Sequence, residues 1–426
     1  TLFTLLFTGK SLSPSKVLRL LHKPTAPTTN TTEFIYISIY KIREFTEKEL
    51  STIMKLTFQQ DAILNGINIV LKAVPSKTTM SILECIFIDA SGSEIKLTAN
   101  DMELGIETKV EGTIHERGKI ALDAKLISEI VRKLSSAGDS VVTIESVEKF
   151  TTTISCEKSV FHIQGRDGEE FAYLPYIERD NYICLSQFTL KEVIRQTIFS
   201  IAPNDSNKMM TGELFQVSGS QLKVVSLDGH RISIRNVELK DTYHDIKVIV
   251  PGKTLSEVSK ILGGDNEKEV LIFFSSNHIL FEFDDTIVVS RLIEGEYFRI
   301  DQMLSSDYET KITVNKRELL DSIERATILI RENDKKPLII NVVDQELQLK
   351  MNSSFGSMNA EVTAHKTGSD IMIGFNPKFL IDALRIIDDE EVTLYMLNPK
   401  SPCFIRDEEG KYIYLILPVN FNAASV

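Results

Sequence analysis

At 426 residues the chain is too long for one ordinary domain and, at about 150 residues per domain, has length for about three. Its 42% hydrophobic and 25% charged residues match an ordinary globular protein and exclude a disordered or fibrous one. A formal charge of -12 excludes a protein that clings to nucleic acid over its whole surface, so any polyanion contact must be a local basic face on an acidic body. Cys85, Cys156, Cys184 and Cys403 stand far apart, which indicates neither a disulfide framework nor a cysteine zinc site and fits a reducing cytoplasm. No apolar run reaches the roughly 18 residues needed to span a bilayer, so a soluble protein without a membrane partner is expected.

Residues 1–53 differ from the rest. They carry seven Lys or Arg against four acids, leaving 41 basic and 56 acidic residues beyond them. The loop-like run Pro24-Thr25-Ala26-Pro27-Thr28-Thr29-Asn30-Thr31-Thr32 and the start-like Met54-Lys55-Leu56 point to an upstream extension or disordered leader rather than part of the fold. A targeting peptide fits less well, because no small-residue cleavage pattern follows a basic region. Gly9-Lys10-Ser11 resembles the end of a phosphate-binding loop, but Thr4 stands where the earlier glycine is required.

From Met54 on, one unit recurs three times. Lys125 to Leu134, Lys253 to Leu262 and Lys378 to Ile387 each begin with Lys and carry an acid at +4, a base at +7 and an aliphatic at +9, with apolar residues between at helical spacing. In the first, Leu126, Ile130 and Leu134 form the predicted apolar side. A run of β-branched residues follows each: Val141-Val142-Thr143-Ile144, Val270-Leu271-Ile272-Phe273 and Val392-Thr393-Leu394-Tyr395. About 60 residues earlier each unit opens with another amphipathic helix, predicted over Gln60 to Val74, Leu190 to Ile201 and Lys316 to Leu329. Alternating strands such as Gln221 to Leu227 lie between. The fold class is therefore α+β, with three repeated modules of two helices packed on antiparallel sheets: 54–180, 181–305 and 306–426. Such an array suggests an arc or a ring.

Lys125, Arg132 and Lys133 share a stripe on the first repeat helix; Lys253 with Lys260 and Lys378 with Arg385 repeat it, and Lys191 with Arg195 adds a basic pair. One helix at a time these are solvated faces with i,i+4 pairs such as Lys125 with Glu129. Their recurrence on an acidic chain favours a shared polyanion-facing surface, and phosphate contacts of this kind carry no base information.

Leu227-Asp228-Gly229-His230-Arg231-Ile232 resembles the Thr-Asp-Gly-His-Arg-Leu signature of the bacterial DNA polymerase III beta subunits, the sliding clamps. The resemblance continues through Ile249-Val250-Pro251-Gly252-Lys253, Leu262-Gly263-Gly264, Leu292-Ile293-Glu294-Gly295, Ile373-Gly374-Phe375-Asn376 and Tyr414-Leu415-Ile416-Leu417-Pro418, and covers 54–421. It implies a head-to-tail homodimer whose six modules close around duplex DNA, a non-catalytic processivity factor without cofactor or metal. The implied partners are the replicative polymerase, the clamp loader and repair polymerases, held through short linear peptides. By position the implied peptide pocket is lined by Met210, Leu227, Gly229, His230, Arg231, Ile232, Phe298, Met303, Leu415, Ile416, Leu417, Pro418 and Val419. Implied DNA contacts are Lys77, Lys125, Arg132, Asn204 and Lys208. The implied seam pairs Phe161 and Ile163 with Ile328 and Leu329 of the other protomer, though all four are residue types that equally fill a core. The chain departs from the family pattern at Leu227 (for Thr), at Phe298-Arg299-Ile300 (for Pro-x-Tyr), at Lys208-Met209 (for a tyrosine pair) and in Asn422 to Val426, which extend past the usual end.

Enzymatic readings find little support. Asp284-Asp285 and Asp388-Asp389 are the obvious carboxylate pairs for a two-metal nuclease or polymerase, but both read as turns. His230 beside Asp228 and Arg231 has no nucleophile near it in sequence and reads as a pocket wall. A repeat-built peptide scaffold that does not encircle DNA is the alternative outside catalysis.

Overall fold

A computed structural model describes residues 52–134, 140–204, 206–331 and 336–421. The leader predicted over 1–53 lies outside them except for Thr52 and Ile53, which belong instead to the first strand, Thr52–Gln59. Among the described residues the helices are α1 (Gln60–Val70), α2 (Ala124–Lys133), α3 (Gln187–Thr197), α4 (Gly252–Ile261), α5 (Lys316–Thr327) and α6 (Pro377–Ile386). They come in pairs, one pair for each copy of the sequence repeat.

Their ends follow from capping. The side chains of Asp123, Ser186, Asn315 and Asn376 accept hydrogen bonds from the backbone N–H of Leu126, Thr189, Glu318 and Lys378, which satisfies one of the amides a helix start leaves unpaired. α3 therefore starts three residues before the predicted Leu190, at the Ser186 cap. The predicted ends at Val74 and Ile201 are short 3-10 turns, Leu71–Ala73 and Ile198–Ser200. The face of α2 also differs from expectation. Ile127, Ile130, Val131 and Leu134 are buried while Leu126 is 42% exposed, because the 3.6-residue period carries it round to the solvent side beside Lys125.

Equivalent bonds recur in the three modules. The backbone N–H of Gln60, Gln187 and Lys316 donates to the carbonyls of Ser140, Lys268 and Glu390 at 3.0, 2.8 and 2.9 Å. The same three side chains reach the end of the partner helix: Gln60 Nε2 donates to Val131 O and Leu134 O, Gln187 Oε1 accepts from Gly263 N, and Lys316 Nζ donates to Ile387 O at 2.6 Å. Helix C-termini leave carbonyls unpaired, and the first helix of each module supplies a donor to them, in the second module Lys191 Nζ to Leu262 O at 2.9 Å while Gln187 takes the following amide.

Among the described residues the strands form three sheets of five, nine and ten strands, and the two larger ones run across module boundaries. At the first junction Thr286–Arg291, the last strand of the second module, pairs antiparallel with Leu104–Val110 of the first, Thr286 opposite Thr108. At the second junction Tyr412–Ile416, the last strand of the third module, pairs in the same way with Arg231–Arg235 of the second. Each junction thus joins the last strand of one module to the return strand of a hairpin in the preceding module, Leu104–Val110 after Ile95–Asn100 and Arg231–Pro251 after Gly212–Leu227. Among the described residues two strands of these kinds keep an open edge: Ser159–Gln164, the last full-length strand of the first module, at the edge of the five-stranded sheet, and the first part of the return strand Gly356–Gly368, which pairs there only with Glu346–Ser353.

One buried group makes the fold sensitive to pH. Glu213 is fully buried under α3 and its Oε1 has no partner, and burial without a cation pushes its carboxyl up to about 8. The Thr197 hydroxyl lies 3.0 Å from Glu213 Oε2 and 2.7 Å from Val193 O, so a neutral Glu213 donates to Thr197 while Thr197 donates to Val193. The folded state holds a proton that the unfolded chain releases above the ordinary carboxylate range. The associated stability is full below that range and is lost as pH rises through about 8. Glu213→Gln is expected to flatten the fall in Tm between about pH 5 and about pH 9, read by scanning calorimetry; an unchanged slope would refute the assignment.

Candidate functional site

The second junction is built on the hairpin between Gly212–Leu227 and Arg231–Pro251. Asp228 Oδ1 accepts from His230 N at 3.0 Å and Arg231 N at 3.1 Å, and Gly229 takes φ +84°, the left-handed conformation that glycine tolerates. The turn throws Arg231 inward, 8% exposed. Its Nε donates to Asp228 Oδ2 at 2.9 Å, Nη1 to Asp382 Oδ2 on α6 at 2.7 Å, and Nη2 to Phe199 O at 2.5 Å. The guanidinium also lies 5.3 Å from the Phe199 ring and 4.6 Å from the Phe379 ring, and His230 stacks on Phe379. Arg231 is thus a buried brace between the second and third modules rather than an open wall.

Outside the brace lies an apolar cluster separate from the module cores. Leu227, Ile232, Tyr297, Tyr395, Phe404 and Leu415 are buried in it, with Met209, Met210, Phe298 and Leu304 half-buried at its rim. Gly295 holds φ +130° beneath Met209, whose Cε would stand 2.1 Å from an added Cβ. Met303, Leu417 and Val419 are exposed around the cluster, with Pro418 between. Leu417 N donates to His230 O and Val419 N to Gly374 O, which fixes this terminal stretch against both modules. Ile416 departs from the expected lining: strand alternation sends it with Tyr412 and Tyr414 into the core of the third module, while Ile413 and Leu415 face the cluster.

Lys125 and Arg132 are exposed along α2, Lys77 and Asn204 on loops, and Lys208 at the start of the 3-10 turn Lys208–Thr211. The predicted Lys125–Glu129 pair is not formed, and Arg132 Nη2 donates to Ser128 Oγ at 3.1 Å. The equivalent bases elsewhere are largely neutralised: Lys253 by Asp101, Lys260 by Glu257 and Arg385 by Glu324. Lys191 donates to Leu262 O, and Arg195 pairs with Glu192 and Asp388. Uncompensated charge is therefore greater on the first module than an even threefold stripe predicts. On the open edge strand Phe161 is exposed and Ile163 is half-buried against its module core, and just past α5 Ile328 is 81% exposed and Leu329 half-buried against its own.

The acidic pairs are structural. Asp284 pairs with Lys268 and accepts from Gln187 Nε2, and Asp389 accepts from Tyr412 OH. Among the described residues no three His, Cys, Asp or Glu side chains gather as a metal site, and no helix is long and apolar enough to cross a membrane.

Three family models match in tandem: the N-terminal, central and C-terminal domains of the DNA polymerase III beta subunit, over residues 54–175, 184–298 and 301–420. The chain belongs to the DNA polymerase III beta subunit family. It is 32% identical over 377 residues to the beta sliding clamp of Staphylococcus aureus, covering 86% of this chain and 99% of that one. The crystal structure of the DNA polymerase sliding clamp from Bacillus subtilis matches with TM-score 0.83 at 32% identity, covering 87% of this chain and all of that one. A DNA polymerase III beta subunit candidate from Eubacterium rectale matches with TM-score 0.84 at 65% identity, covering 87% of this chain and 100% of that chain. Like the family, the clamp is a non-catalytic processivity subunit.

Phe199, Phe379 and Asp382 complete the Arg231 brace and were not anticipated as site residues. Only Phe379 left a trace in sequence: the first and second repeat helices place Leu126 and Thr254 at the same step, so an aromatic there breaks the pattern.

Proposed function

We propose that this clamp closes its ring through the two open strand edges, holds partner peptides on the apolar cluster of the second junction, and meets duplex DNA with Lys77, Lys125, Arg132, Asn204 and Lys208. The observation that carries the reading is the pairing rule of the sheets. Each junction within the chain joins a late strand of one module to a hairpin return strand of the preceding one, and among the described residues one of each keeps an open edge. A second copy supplies the missing partner at both ends, which makes a heterologous contact that closes instead of propagating. By the register of the first junction, residues 159–163 run opposite 357–361 of the partner, placing Phe161 and Ile163 near its Ile328 and Leu329. These exposed edges support a seam over the core reading.

The peptide pocket comprises Met210, Leu227, Gly229, His230, Ile232, Phe298, Met303, Leu415, Leu417, Pro418 and Val419, with Arg231 holding its floor. Half-buried Met and Phe at the rim adapt to varied apolar anchors, which suits polymerases, the clamp loader and repair polymerases sharing one site. The DNA-facing bases contact phosphates and are indifferent to sequence. The modules divide at 180/181 and 305/306, a reading supported by strands that start at Tyr182 and Thr310. A cytoplasmic location follows from work on the chromosome of a bacterium.

The test is retention on nicked circular against linearised plasmid after loading by a clamp loader and a high-salt wash. Charge-only binding falls steeply with salt on both templates. Retention on the circle with run-off from the linear form is expected; equal loss from both would sink the ring.

A further inference from the structure

The first junction reproduces the construction of the second. Asp101 Oδ1 accepts from Glu103 N at 3.0 Å and Leu104 N at 2.6 Å, the same turn that Asp228 makes, with Met102 at φ +74° in the place of Gly229. Arg291 N donates to Glu103 O at 2.9 Å as Leu417 N donates to His230 O at 2.9 Å. In the second junction Tyr395, Phe404 and Leu415 sit opposite one another on three neighbouring strands; in the first, Phe273, Leu280 and Val289 do the same. Those three form a buried cluster with Ile177, against which Leu174 packs.

Chemistry separates the two. Adjoining this cluster is a cavity of about 290 Å³ lined by Met102, Tyr173, Leu174 and Val289, and beyond Pro175 and His278 a second of about 510 Å³ lined by Tyr176, Glu178 and Asp180. Met102 is 52% and Tyr176 89% exposed, large apolar surfaces that folding leaves uncovered. Glu178 and Asp180 are exposed and make no ion pair among the described residues. An apolar hollow followed by unpaired carboxylates beside an aromatic face is complementary to an apolar side chain followed by a cation.

We propose that this groove is a second docking site, for a linear peptide of a partner protein in which an apolar residue precedes Lys or Arg. It rests on the shared construction of the two junctions and not on the roles assigned to the second. Arg291 and Glu103 also line the first cavity but pair with each other at 3.8 Å, so the charges left without an ion pair are Glu178 and Asp180, and a basic peptide is chosen over nucleic acid for that reason.

The test uses fluorescein-labelled peptides with Leu-Phe-Lys-Arg or Leu-Phe-Glu-Glu in a Gly/Ser context, titrated by anisotropy against the full chain. Binding at the second junction is suppressed by the exposed substitutions Met303→Asp and Leu417→Asp. The basic peptide is expected to bind this protein and to lose at least about tenfold in affinity with Met102→Asp or with Glu178→Lys and Asp180→Lys together, about 1.4 kcal/mol or more. The substituted positions are exposed, so folding is not at stake. No binding once the second junction is suppressed, binding indifferent to the first-junction substitutions, or equal binding of the acidic peptide would each overturn the proposal.

Discussion

Arg231→Ala is expected to lower stability by about 3–5 kcal/mol, the scale of removing one partner from a buried ion pair. The loss has two sources. Asp228 and Asp382 would face each other across the junction without their shared cation, and the Phe199 and Phe379 rings would lose the guanidinium between them. Lysine should rescue little, because an ammonium cannot reach both carboxylates and the Phe199 carbonyl while lying flat between two rings. Asp382→Ala combined with Arg231→Ala should cost less than the sum of the two, since one interaction is removed twice. Urea unfolding of the four proteins of this cycle measures it, and a single-variant loss below about 1 kcal/mol would show that the brace is solvated in solution.

Phe161→Asp or Ile328→Asp is expected to turn the dimer into a folded monomer, with dissociation strengthened at least about 100-fold, or about 2.7 kcal/mol. Both side chains are exposed within the chain, so the monomer gives up no core contact and its Tm should shift little. In the ring each would put a carboxylate against an apolar strand edge with no cation opposite. Light scattering after size exclusion reads the mass, and the same proteins should no longer be retained on nicked circular DNA. Dimers that persist in both variants would move the seam elsewhere.

The helices were legible because their information is local. An amphipathic period over ten residues, repeated three times, identified α2, α4 and α6 before any contact was known. Leu126 shows the limit: three apolar residues four apart describe a stripe, but the buried arc also takes Ile127 and Val131, and only packing decides where it ends. Ile416 was misassigned for the related reason that position in a motif does not say which way a strand residue points. Asp228 lies in the same motif, but the rest of the brace was illegible because the other hydrogen-bond partners of Arg231 come from 32 and 151 residues away in the chain. The neutralised bases likewise depended on distant acids, such as Asp101 for Lys253, 152 residues off.

The shared sheets also constrain the order in which this chain can be made. Leu104–Val110 waits for a strand that leaves the ribosome long after it, Thr108 and Thr286 being 178 residues apart, and Asn236 waits 174 residues for Gly410. Until then each earlier module carries a bare edge of unpaired amides and carbonyls, the kind of surface that recruits strands from other molecules. Pairings so distant also make for slow acquisition of the native state. A nascent clamp is therefore prone to aggregate in two intervals, one while its second module is being made and one while its third is, and those are the intervals in which chaperone protection matters.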